Sequence, residues 1–210
     1  MMRKMAVFLI SLMLILPGVC LAADAVSSAT VSVTELPGAK SYESAPALVI
    51  WFSTDDTVKA VALTVADAVH ADSFEIVPEQ PYTEADLAYY TDGRCDREQA
   101  DASARPGIAV WPSSLEQYDT ILIGYPIWHG QAPKILYTLL EGIDVSGKTI
   151  IPFCTSVSSG AGSSAKNLQL LTDDTTTWLD VKRIDNGSTA EDIRAWALSL
   201  NLTDGGINSR

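Results

Sequence analysis

Residues 47–52 read Ala-Leu-Val-Ile-Trp-Phe with no polar break, and this run constrains the fold more than any other segment. It has the length of a strand. An apolar run that does not alternate belongs to a strand covered on both faces, as in a parallel sheet. Residues 57–70 follow with Val58, Val61, Ala62, Val65, Ala68 and Val69 at helical spacing. The strand-then-helix unit then repeats. Further strands are expected at 73–77, 120–124, 149–153 and 181–184, and helices at 133–140, 164–171 and 189–200. Pro133 opens its helix at the position where a missing N–H matters least. Ser188 or Thr189 caps the last helix, which turns Ile193, Trp196, Ala197 and Leu200 inward. This alternation predicts an α/β fold, a doubly wound five-stranded parallel sheet of order 2-1-3-4-5 with helices on both faces. That order puts a switch point between strands one and three, where the loops after Phe52, Gly124 and Phe153 converge. Pro152 falls inside the fourth strand and removes a ladder donor there, for no reason visible in the sequence.

The N-terminal residues read as a leader. Arg3 and Lys4 precede an apolar run over 6–16, Pro17-Gly18 breaks it, and Cys20-Leu21-Ala22 offers small residues for cleavage after Ala22 or Ala23. The run is too short to span a bilayer. The alternative is a lipoprotein acylated at Cys20, against which Val19 stands, because that position usually needs a small residue. The expected organisation is a signal peptide over 1–22, a flexible Ser/Ala/Thr-rich tether over 23–46, one domain over 47–202 and a tail over 203–210. Export to the periplasm or the outer face of the membrane follows. The formal charge is −12, which sets aside nucleic acid as a default partner and fits either a basic partner or a chain simply kept dispersed by repulsion. Cys95 and Cys154 remain after processing, and an exported compartment permits a bridge between them; two unrelated thiols is the simpler reading.

Residues 82–116 are the least regular part, acidic with scattered Arg and Pro, and hold room for one short helix at 84–89 or 96–102. Such an excursion beside a ligand edge shapes access, or is a solvated loop. Several chemistries are disfavoured. There is no Gly-x-Ser-x-Gly elbow. His70, His129 and two thiols make no metal spacing. Gly160-Ala-Gly162 lacks the third glycine of a dinucleotide fingerprint. His70, at a helix end, complements the helix dipole.

The residues 47–53, Phe74-Glu-Ile-Val-Pro78, Pro81-Tyr-Thr83, Arg105-Pro106, Tyr118-Asp119, Gly124-Tyr-Pro-Ile-Trp-His-Gly130, Ser146-Gly-Lys-Thr-Ile-Ile-Pro-Phe-Cys-Thr155 and Trp196 together resemble the flavodoxin-like family, in its exported bacterial branch with a long loop after strand two. The resemblance implies a flavodoxin fold, flavin mononucleotide (FMN) as cofactor and electron transfer as the activity. It implies that Ser53, Thr54 and Thr57 cradle the flavin phosphate at a helix N-terminus. Family members resemble Ser-x-Thr-Gly-Asn-Thr there, whereas this chain has Ser53-Thr-Asp-Asp-Thr-Val58. Aligned without a gap, Asp55 and Asp56 replace the Thr and the Gly. With a one-residue gap, Thr54 and Thr57 match, but Asp55 still holds the glycine's place. A carboxylate there can cap the helix itself and repels a phosphate by roughly 4 kcal/mol at about 4 Å and an effective dielectric of about 20.

In the second loop, Tyr125 and Trp128 are candidates to stack on the isoalloxazine ring, with Pro126, Ile127, His129 and Gly130 along its edge; the alternative is that both aromatics only cover the sheet end. His129 is a candidate donor to flavin or substrate, or a solvated residue. In the third loop Thr155, Ser156, Ser159 and Gly160 are small and polar enough to approach a pyrimidine edge or ribityl chain, or form a plain connector. Two functions emerge. One is an FMN-binding redox protein of the cell envelope, an electron carrier or quinone-reductase-like enzyme working with a redox partner protein or a small quinone-like acceptor. The other is a cofactor-free interaction module with a degenerate phosphate loop.

Overall fold

The computed structural model describes residues 47–203 and 206–207. The leader, the tether and Cys20 lie outside the described residues. β1 (Ala47–Trp51) is buried at every position, as its unbroken apolar run requires. β2 (Asp72–Glu75) and β3 (Thr120–Pro126) pair with it in parallel, β4 (Thr149–Thr155) pairs in parallel with β3, and the edge beyond β4 completes the expected 2-1-3-4-5 order. The sheet order expected from the alternation is therefore the order observed.

That edge is broken in two. β5 (Thr177–Trp178) pairs with Thr149 and Ile150, and β6 (Lys182–Ile184) pairs with Phe153 to Thr155. Leu179, Asp180 and Val181 span on the edge what only Ile151 and Pro152 span on β4. The edge thus bulges by one residue opposite Pro152. The carbonyls of Lys148 and Ile150 face this edge, accepting from Thr177 N–H and Leu179 N–H at 2.9 Å each. By strand alternation Pro152 faces it as well, so its missing N–H points at the stretch that has left the ladder.

Alternation distributes the strand side chains between two cores. Leu48, Ile50, Phe52, Ile121, Ile123, Tyr125 and Ile150 meet α4 (Lys134–Gly142) through Ile135, Leu136 and Leu139. Ala47, Val49, Trp51, Leu122, Ile151 and Phe153 meet α1 (Asp56–Val69) and α6 (Ala190–Ser199). On α1 the buried positions are Val58, Val61, Ala62, Val65, Ala66 and Val69, a stripe that repeats every three to four residues. His70 closes that helix with a left-handed φ of 52°. Thr189 and Asp192 form a reciprocal capping box at the start of α6. Gly124, in mid-strand, is required by close approach: a Cβ there would lie 2.3 Å from the Phe153 ring.

The excursion after β2 carries two helices rather than one, α2 (Glu84–Leu87) and α3 (Arg94–Ala100). It is not a solvated loop. Cys95, Ile108, Leu115 and Tyr118 are buried in the core over which it packs. Backbone bonds tie it to the strand-two exit, Glu79 N–H donating to Gly107 O and Ala109 N–H to Val77 O. Cys95 and Cys154 are both buried and both free thiols, as the simpler reading of the cysteines expects. α5 (Ser164–Gln169) and an antiparallel pair, β7 (Leu202–Thr203) with β8 (Gly206–Ile207), complete the described chain. No helix among the described residues is long and apolar enough to cross a membrane.

Candidate functional site

The loops after β1, β3, β4 and β6 surround a cleft of about 760 Å³ at the carboxyl ends of the strands. The volume falls in the range of small-molecule sites, and the position is the switch point where doubly wound sheets bind ligands. Of the expected residues, Thr54, Thr57, Pro126, Ile127, Trp128, Thr155 and Ser156 line it. Leu87 and Tyr89 from the excursion, Val157, and Asp185 and Asn186 after β6 also line it.

Ser53, Tyr125, His129, Gly130, Ser159 and Gly160 stand back from the cleft wall. Tyr125 has no exposed surface, and its hydroxyl meets Ser164 Oγ at 3.1 Å in the core. It cannot stack on a ligand ring, because alternation along β3 turns it toward α4 and α5 instead. Burial pushes its phenol pKa upward, so it stays neutral. Trp128 does reach the cleft, but as a wall. It is only 6% exposed, and it is packed edge-on against Phe52 at 5.5 Å and Tyr82 at 5.2 Å.

The chain after Trp128 makes a tight two-residue turn. Trp128 and Gln131 exchange both backbone bonds at 2.9 Å, and His129 and Gly130 between them have φ of 47° and 73°. Two consecutive left-handed residues are the type I′ geometry, which Gly130 takes easily and His129 accepts at some strain. Helix α3 supports the turn. Gln99 Nε2 donates to Trp128 O at 3.1 Å and to Ala132 O at 3.2 Å, while its Oε1 accepts from Lys134 N–H at 3.1 Å. His129 Nε2 lies 2.8 Å from Asp96 Oδ1, also on α3, and the imidazole stacks on Tyr89 at 4.5 Å. Partial burial works against a charged Asp96. The N–H groups of Thr91, Tyr90 and Asp92, with His129, outweigh it and hold the carboxyl below its usual range.

The third loop is fastened through its backbone. Ser156 Oγ meets Ser159 Oγ at 2.7 Å and accepts from Ser159 N–H at 3.1 Å. Arg183 on β6 donates to Ser159 O at 2.9 Å and to Ser156 O at 3.4 Å, and pairs with Asp185. Gly160 has open space around its Cα and no close neighbour that demands a glycine.

The first loop closes on itself. Asp55 is the N-cap of α1 in an extended conformation, and its Oδ1 accepts from Thr57 N–H at 2.8 Å. The Ser53 hydroxyl turns to the same residue, donating to Asp55 O and lying 3.3 Å from Asp55 Oδ1. Asp56 is the first helical residue, where a carboxylate favours the dipole.

A cleft with aromatic and aliphatic walls at the switch point of a 2-1-3-4-5 sheet is the arrangement of a doubly wound α/β protein with a candidate ligand site. The flavodoxin family model, described as "Flavodoxin", matches residues 46–200, and the chain belongs to that family. A candidate flavoprotein from Bacteroides eggerthii is 35% identical, with 75% of this chain and 98% of that one aligned and a TM-score of 0.68. A second, from Bacteroides uniformis, is 37% identical over 73% of this chain and 98% of that one, again with a TM-score of 0.68. A Lactobacillus acidophilus flavoprotein in complex with FMN shares the fold at 21% identity, 66% and 93% coverage and a TM-score of 0.56. No curated protein matches the chain.

The residues fit the two ends of FMN unequally. The ring end has a cleft of suitable size, the Trp128 and Tyr89 walls and the hydroxyls of Thr155 and Ser156. The phosphate end does not fit, because Asp55 already holds the Thr57 N–H and the Ser53 hydroxyl. Among the described residues no three His, Cys, Asp or Glu side chains gather to hold a metal ion.

The excursion's contribution escapes periodicity altogether. Tyr89, Asp96 and Gln99 lie in a segment without strand or helix rhythm, and the neighbouring Tyr89-Tyr90 pair is the one local signal that could have drawn attention to it.

Proposed function

We propose that this protein is an exported flavin-binding redox protein of the cell envelope. The observation that carries the reading is the aromatic-walled cleft at the switch point of a flavodoxin-family sheet. The two Bacteroides relatives, described as candidate flavoproteins, support it. A bound flavin supplies electron transfer at its ring. The chain's own residues hold and shield that ring. Trp128 and Ile127 line the cleft together, Tyr89 adds a second aromatic from the excursion, and Thr155 and Ser156 offer hydroxyls to a polar edge. The leader over 1–22 supports export, and the acidic charge supports a basic redox partner; a small quinone-like acceptor is the other candidate.

The purified protein tests this directly. The expected result is a flavin band in the visible spectrum, or a rise in melting temperature when flavin is added to the stripped protein. Neither a band nor a rise overturns the reading. A second reading, a cofactor-free interaction module, is favoured by the Asp55 cap alone, and that null result is the one it predicts.

A further inference from the structure

Asp55 and the cleft's charge balance bear on which flavin this site takes, given the flavin reading above. At the start of α1 the N–H of Thr57 and the hydroxyl of Ser53 are committed to Asp55. These are groups that an incoming phosphate would need. The carboxylate that takes them is itself an anion on the cleft wall. A second carboxylate, Asp185, lines the same cleft from the loop after β6. Among the described residues no Lys, Arg or His lines it. Arg183, the nearest cation along the chain to that wall, has its guanidinium engaged by Asp185 and by the carbonyls of Ser156 and Ser159.

A phosphate monoester carries about −1.5 to −2 charge near pH 7. Entering here it meets two carboxylates and a helix end that is already capped. A phosphate-free flavin meets the same aromatic wall and the same hydroxyls, and its sugar-alcohol chain can donate to Asp55 and Asp185 where a phosphate cannot. We infer that the cleft selects a flavin without its phosphate, of the riboflavin class, over FMN, and that Asp55 is the residue that sets this preference. Asp55 acts by occupying the helix end and by charge, not by shaping the ring site.

The test is a pair of titrations of the purified, flavin-stripped protein with riboflavin and with FMN, read by quenching of flavin fluorescence at low salt. Riboflavin is expected to bind at least about tenfold more tightly, since an exposed like-charge contact is weakened by solvent and salt but not abolished. The preference should narrow as salt is raised. In Asp55→Asn, which keeps the capping oxygen and loses the charge, the ratio of the two affinities should shift toward FMN by about tenfold. Asp55→Ser, a different capping residue, should shift it in the same direction. FMN binding as tightly as riboflavin, or a ratio unmoved in both variants, overturns the selectivity and leaves the flavin reading standing. Failure of both flavins to bind overturns the two together.

Discussion

Around Asp55 the chain satisfies a helix end with its own neighbouring side chain, while around Trp128 it depends on a glutamine 29 residues earlier in sequence. The first loop needs nothing from the rest of the molecule and is shut to an anion as a result. The second is kept in shape by α3, through Gln99 and Asp96, and stays open on one side to a ligand. A loop that caps itself is stable but closed. A loop braced from outside can leave a surface unpaired for binding.

The sharpest way to break this comparison is Trp128→Ala. Removing a side chain packed on Phe52 and Tyr82 should destabilise the domain by about 3–5 kcal/mol in urea unfolding. Retained stability would show that the wall is not part of the core. Next is Gln99→Ala, which leaves two carbonyls and the Lys134 N–H without their partner. A loss of about 1–3 kcal/mol is expected, together with weaker flavin binding, although Gln99 does not line the cleft. If flavin affinity is untouched, α3 is not a brace for the site. Asp55→Ala should cost less, about 1 kcal/mol as a lost cap, and should shift the balance of flavin binding toward FMN rather than abolish it. The contrast between these two variants is the comparison in experimental form.

The smallest effect concerns a site remote from both loops. Asp173 accepts from the hydroxyls of Thr175 at 2.6 Å and Ser146 at 2.7 Å, and these bonds lower its pKa from 3.8 to about 2. A carboxylate whose folded value is depressed stabilises the fold above the unfolded value and loses that contribution as pH falls through the folded one. Asp173→Ala should therefore melt below the parent protein at pH 7, with the gap closing between about pH 4 and pH 2. A gap that persists at pH 2 would show that the effect is not ionic.

The strands and their order were legible because burial on both faces forces a largely apolar run, and the three central strands of the six-stranded parallel sheet are such runs. The cleft's position followed from that order. What the sequence hid are contacts with no period. Tyr125 and Trp128 look alike as loop-end aromatics, yet β3 continues through Pro126, and alternation sends Tyr125 into the core. Gln99 and Asp96 act only once α3 has been folded across the turn. Asp55 was readable as a potential cap, because the Asx geometry is local and needs no tertiary partner.

The bulge opposite Pro152 has a consequence beyond the ladder it interrupts. The outer border of the sheet is offered to solvent as two stubs, Thr177–Trp178 and Lys182–Ile184, out of register with each other. A foreign strand approaching that side finds no straight row of donors and acceptors to zip onto, and Lys182 and Arg183 add charge there. Among the extended chains present during folding, such a border discourages self-association before it starts.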